Sequence, residues 1–330
     1  MDRRVFLSSL TVGAVAIARI APAQPARRLA RIGVITVGYS TADMVGPAPK
    51  SATVNALVRG LEDLGYVYGE HYVTEVRGGE TSAEHFPRVA AEMARLRLDV
   101  IVAPGPMLAA LKQATSTVPI IMAGALDPVA QGLVKSLGQP GGNFTGFSLQ
   151  SAEAVAKRLE LLRDVVPTPT LVAVVWERTV REHWQVAETA ARERGWQLLP
   201  IEVRDRGDIE GAFQTATNAR AGGVLMLAGG NLYPQTQRLA ELAIKNRLPA
   251  MYSLRPQVEA GGLMCYGPDI VDTWRRAAVF VDKIIKGAQP AKLPVEQPTK
   301  FEFVVNLKAA RAIGLTIPEG VLRRADEVLQ

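Results

Sequence analysis

Two charged residues stand at the ends of apolar runs, where a buried charge has chemical consequence. Asp127 follows "PIIMAGAL" and precedes Pro128; Arg255 follows "AMYSL" and precedes Pro256. Proline suits the first turn of a helix, and the residue before it can cap that turn. A guanidinium so placed can hold a carboxylate through two parallel hydrogen bonds, and a carboxylate can accept from an ammonium or amide group. Such a pair would suit a small molecule carrying both charges. Plainer roles stay open: Asp127 can cap its own helix, worth about 1 kcal/mol, and Arg255 can pair with Asp127.

Other chemistry finds little support. His71, His85 and His183 are isolated, without an H-x-x-x-H or H-E-x-x-H pair, so no metal site is expected. The run "GVITVG" is not followed by G-x-G-x-x-G, and no G-x-x-x-x-G-K-[ST] occurs, so neither standard phosphate cradle is present. The loop "PGGN" (Pro140 to Asn143) precedes a strand and reads as a turn. No G-x-S-x-G elbow supports a serine nucleophile. Cys265, the single cysteine, lies in "GLMCYG" and reads as a buried strand residue, which leaves no intrachain disulfide or multi-cysteine metal site. The expectation is a protein without catalytic residues or cofactor. The formal charge of +6 is scattered among acids, so no nucleic-acid partner is expected, and "ARRLAR" (Ala26 to Arg31) reads as a solvated lead-in to the first strand.

The elements that must position Asp127 and Arg255 occur twice. With 330 residues, 48% hydrophobic and 21% charged, the chain can bury a core large enough for two domains. From Ala30 onward, apolar strand-like runs alternate with helical periods. "RIGVITVG", "DVIVAP" and "PIIMAG" lack polar alternation, as suits a parallel sheet covered on both faces. Between them Val54, Leu57, Val58, Leu61 and Leu64 form one apolar helix face. The second half repeats the pattern. "LEDLGY" is answered by "ARERGW", with Gly65 and Gly195 where a helix end needs a left-handed residue. "DVIVAP" is answered by "GVLMLAGG", "TVPIIMAG" by "RLPAMYSL", and the pair Gly141–Gly142 by Gly261–Gly262. Two such α/β lobes predict a cleft where the carboxyl ends of their strands face each other.

The N-terminus reads as an export leader. Arg3 and Arg4, then Val5, Phe6 and Leu7, the apolar stretch to Ile17, and an A-x-A signature at Ala21 and Ala23 predict a twin-arginine-like signal peptide over 1–23, cleaved after Ala23, and a periplasmic location.

Three stretches carry a family resemblance: "DPVAQGLVKSLGQPGGNFTG", "VEAGGLMCYGPD" and the tail from Gly287 to Leu329. They resemble ABC-transporter substrate-binding proteins of the tryptophan/tyrosine-importer type, and the resemblance covers essentially the whole mature chain. It implies a type I periplasmic-binding-protein fold: α/β, two Rossmann-like lobes with parallel sheets, joined by a three-strand hinge. Lobe one would comprise 30–148 plus 268–297, and lobe two 149–267 plus 298–330. The implied partners are a small-molecule ligand, an inner-membrane ABC permease and its cytoplasmic ATPase, with the receptor acting as a monomer. Where many relatives carry an Asp-Pro pair, this chain has Gly229, Gly230 and Asn231.

Strand ends nominate the ligand-binding residues. In lobe one they are Tyr39, Ser40, Gly105, Pro106, Asp127, Phe147 and Ser148; in lobe two, Trp176, Glu177, Asn231, Tyr252, Arg255 and Tyr266. Aromatic surface with a few polar groups is the usual make-up of a small-molecule cleft. The expected function is capture of a small organic solute, an amino acid and in particular an aromatic one, for delivery to a permease. The alternatives are a ligand-sensing receptor feeding a sensor kinase or chemoreceptor, and, behind it, an exported enzyme.

Overall fold

A computed structural model describes residues 28–330 apart from 38, 80–82, 150–151, 167–170, 228–231 and 233–234. The leader over 1–23 and Asn231 lie outside the described residues.

The first sheet is built from β1 (Ala30–Ile35), β2 (Tyr72–Arg77), β3 (Val100–Ala103), β4 (Ile120–Ala125) and β5 (Phe144–Ser148). Its order is β2-β1-β3-β4-β5 and every pairing is parallel. Such a sheet must be covered on both faces, and its strands say so: Val100 and Val102 join one apolar cluster, Ile101 and Ala103 the other. The first cluster takes in α1 (Ala52–Asp63) and α9 (Ile270–Ile285); the second takes in α2 (Phe86–Arg95) and α3 (Leu108–Ala114).

The second sheet holds β6 (Leu171–Trp176), β7 (Gln197–Glu202), β8 (Gly223–Leu227), β9 (Ala250–Tyr252), β10 (Met264–Pro268), β11 (Phe301–Asn306) and β12 (Glu327–Leu329). Its order is β12-β11-β10-β9-β8-β6-β7. One face carries α4 (Ala152–Val165) and α5 (Arg181–Glu193), with α10 (Leu307–Ala312) and α11 (Glu319–Leu322). The other carries α6 (Ile209–Asn218), α7 (Thr236–Lys245) and α8 (Arg255–Glu259). The repeat predicts five parallel strands; the sheet has seven, and β11 runs antiparallel to β10. The reason is the direction of re-entry. The chain leaves β10 at its carboxyl end and comes back to the sheet at that same end as β11.

The repeated helix ends form as their chemistry requires. Gly65 (φ +84°) and Gly195 (φ +69°) are left-handed, and the following aromatics, Tyr66 and Trp196, donate their amides to the carbonyls of Leu61 and Ala191. Gly267 answers to a different constraint. A Cβ there would sit 1.7 Å from the Ser253 carbonyl oxygen, so only glycine lets the chain past the end of β9.

The chain passes between the sheets after β5, after β10 and before β11, and these passages are bonded side by side. Ser148 N–H donates to the Glu296 carbonyl at 2.9 Å, Glu296 N–H to the Gly146 carbonyl at 2.8 Å, and the Asp269 N–H to the Lys300 carbonyl at 3.1 Å. An ion pair of 2.8 Å joins Lys300 to Asp269 as well. No helix among the described residues is long and apolar enough to cross a membrane.

Candidate functional site

The carboxyl ends of the strands are where side chains escape the sheet, and β6 delivers the most aromatic group there. Trp176 ends the strand, a 3-10 turn follows over Arg178–Val180, and α5 then brings Trp184 back onto it. The two indoles stack with centroids 5.7 Å apart and planes 23° from parallel. On the same face Tyr266 of β10 stacks on Phe301 of β11 at 5.7 Å. Both tryptophans and Tyr266 are only partly buried against the core. Offset stacks of this kind give a flat, rigid surface suited to an aromatic or apolar solute.

Two titratable groups share that face. Arg158, on α4, is 4% exposed, and its Nε donates to the Tyr266 carbonyl at 2.7 Å. Burial lowers its pKa to about 10. His183, in the first turn of α5, is 8% exposed. Burial pushes its imidazole down to about 4, helped by the Arg158 charge and opposed by Asp127. Asp127 belongs to the loop after β4 of the first sheet, so His183 feels a charge from the other sheet's side of the molecule. The Nε1 of Trp176 and the Nε2 of His183 are buried with no hydrogen-bond partner.

The residues nominated from strand ends divide. Trp176 and Tyr266 lie on the aromatic face. Asp127 sits at the lip of the first sheet and caps its own turn, its Oδ1 accepting from Val129 N–H at 3.1 Å and Ala130 N–H at 2.8 Å. Tyr39 and Ser40 are exposed beyond β1, with Ser40 Oγ donating to Asp43 at 2.6 Å, and Gly105 and Pro106 form a half-buried turn after β3. Ser148 is fully buried beside the first passage. Glu177 is 2% exposed and accepts from the Leu232 N–H at 2.7 Å, which fits a loop-anchoring role.

Three nominations are corrected. Phe147 is a core residue with no exposed surface, edge-on to Phe280 at 5.3 Å and covered by the Arg276 guanidinium at 4.8 Å. Tyr252 is likewise fully buried, its hydroxyl donating to the Leu239 carbonyl at 3.4 Å. Arg255 is paired with acids of its own sheet and helix, not with Asp127. Its Nε lies 2.7 Å from Glu259, one Nη 3.3 Å from Glu302 and the other 2.8 Å from Glu327. With every nitrogen occupied by a carboxylate, this guanidinium is already neutralised. Arg255→Ala is therefore expected to lower the unfolding free energy measured in urea by about 1–2 kcal/mol while changing solute affinity less than about threefold. Glu302, whose carboxyl burial already raises, would lose its counter-charge.

Arg158, His183 and Trp184 were not nominated. Arg158 did carry a signal. In "AEAVAKRLELLRDV" it shares the apolar stripe of Val155, Leu159 and Leu162, where a charge needs a reason. Among the described residues no group of three His, Cys, Asp or Glu could hold a metal ion. Cys265 is buried and its thiol is pushed up to about 12, chiefly by burial, which suits a packing role.

Two α/β sheets joined by three neighbouring passages of chain, the second sheet carrying an aromatic surface at its carboxyl edge, have the architecture of a two-lobed solute receptor. The sequence profile of the ABC transporter substrate binding protein family matches residues 42–329, and the chain belongs to that family as a solute-binding component. A tyrosine-binding protein of Clostridioides difficile is 25% identical over 263 residues, covering 78% of this chain and 75% of the relative. Among solved structures, a conserved domain protein from Vibrio cholerae is 26% identical with a TM-score of 0.75, covering 91% of this chain and 100% of that one. A Streptococcus pneumoniae ABC domain in complex with L-Trp superposes with a TM-score of 0.75 at 23% identity and the same coverage, which speaks to the fold.

Proposed function

We propose that this chain is the extracytoplasmic receptor of an ABC importer, closing its two lobes around an amino acid with an aromatic side chain and handing it to an inner-membrane permease. The observation that carries the reading is the stacked pair Trp176–Trp184 at the carboxyl edge of the second sheet. The names of two relatives, one binding tyrosine and one holding L-Trp, point the same way. The twin-arginine-like leader supports export, and the three side-by-side passages between the sheets support closure by hinge bending, with lobes divided at 148/149, 267/268 and 297/298. A cytoplasmic ATPase would complete the importer.

The test is a thermal-shift screen of the purified chain, freed of carried-over solute, against the twenty amino acids. At 100 times its dissociation constant, the cognate solute stabilises the native state by about 2.7 kcal/mol. That corresponds to a rise of roughly 5–10 °C in Tm for a domain of this size. Tryptophan or tyrosine should give the largest rise. No response to any amino acid would reject the assignment.

A further inference from the structure

Arg158 is a cation without an anion among the described residues. It lies on the inner stripe of α4, only 4% exposed, and its single hydrogen bond runs from Nε to the neutral carbonyl of Tyr266. Both Nη groups are left over. Burying a guanidinium without a counter-charge is costly, and buried arginines are as a rule paired. By contrast, Arg255 is more exposed yet holds three carboxylates. The shortage at Arg158 is thus not a shortage of acids in the chain.

The surroundings repeat the deficit. Trp176 Nε1 and His183 Nε2 are also buried without partners, and His183 is close enough to Arg158 to feel its charge. Buried polar groups are nearly always satisfied, so two buried groups without partners beside a guanidinium that has no counter-charge mark a place for a polar ligand. The chemistry such a ligand needs can be read from the donors. A guanidinium fork and an indole N–H can only donate, and a fork matches two oxygens in a plane.

We propose that Arg158 holds the carboxylate of the captured solute, with the Trp176 indole N–H and the His183 imidazole completing the polar lining, so that the site accepts only solutes bearing a carboxylate. This rests on the solute-capture reading above and adds the group by which the solute is recognised. Held between α4 and β10, the anion neutralises a charge that has no counter-ion among the described residues. Closure of the lobes strengthens the pair by removing water from around it.

The experiment uses the purified chain, unfolded and refolded to remove bound solute, with calorimetry on L-tryptophan and L-tyrosine and on their carboxylate-free counterparts tryptamine and tyramine. Expected are binding of the amino acids, at least a hundredfold weaker binding of the amines, and a comparable loss in Arg158→Met. Arg158→Lys, which keeps the charge but not the fork, should lose less. The ligand-free Arg158→Met protein should melt no lower than the parent, since an uncompensated charge has been replaced by an apolar group of similar length. If amines bind as well as amino acids, or Arg158→Met binds them like the parent, the carboxylate assignment falls and solute capture stands. If the parent binds none of the four, the aromatic reading falls, and melting decides for Arg158. A lower Tm in ligand-free Arg158→Met would then show a structural role and overturn the inference; an equal or higher one would uphold it.

Discussion

Trp274→Ala is expected to cost about 3–5 kcal/mol of stability, as for other fully buried tryptophans cut back to alanine. The residue is 2% exposed and lies on α9, a helix that follows β10 of the second sheet in sequence but packs on the first. There it joins Leu57 and Leu61 of α1 and Val34 of β1 in a single apolar cluster. The seam between α1 and α9 is tight: a Cβ on Gly60 would come 2.3 Å from the Arg275 carbonyl oxygen. Helices in such close contact cannot move together to fill a hole, so most of the cavity left by the indole would persist. The expected fall in Tm is on the order of 10 °C. A loss below about 1 kcal/mol in urea unfolding would show that α9 is not seated on α1 in solution.

Acidification should weaken the fold through His183, and the direction follows from its burial. In the folded chain the imidazole is held neutral down to about 4, against an ordinary value of 6.5. The unfolded chain takes up a proton as pH falls through 6.5, whereas the folded chain resists until about 4. The contribution of His183 is therefore fully present above 6.5 and is lost progressively between 6.5 and about 4. At about 1.4 kcal/mol per tenfold change in proton affinity, the loss is on the order of 3 kcal/mol. The causes can be separated. Burial acts first, the Arg158 charge adds to it, and Asp127 opposes. Urea midpoints of the solute-free protein at pH 7 and pH 4.5 should differ more in the parent than in His183→Asn. Equal pH slopes in the two proteins would show that His183 is already protonated, or reaches solvent, in the folded state.

The two cases show how unevenly the molecule can be read from its chain. Local chemistry made the duplicated lobes legible. Apolar runs without alternation identified strands covered on both faces, and Gly65 and Gly195 marked helix ends because only glycine turns left-handed there without strain. Strand ends likewise pointed to Trp176 and Tyr266, which lie on the aromatic face, and to Asp127, in the loop after β4.

Sidedness was beyond reach. In a strand apolar throughout, period-two alternation cannot say which residues face a cleft, so Phe147 and Tyr252 looked like cleft walls when both are core. Arg255 looked free because two of its three acids lie on other elements: Glu259 is one turn along α8, but Glu302 is on β11 and Glu327 on β12, and only the return of the chain after its last passage brings those near. Arg158 is the converse. Its place on an apolar stripe was visible, but whether an acid waited opposite depended on which strands α4 covers, and those are more than sixty residues away in sequence. Residue type and spacing thus determined the elements, their order and their exposed ends, since those depend on neighbours along the chain. The pairing of charges, and with it the choice between a structural arginine and a binding one, was decided only by packing.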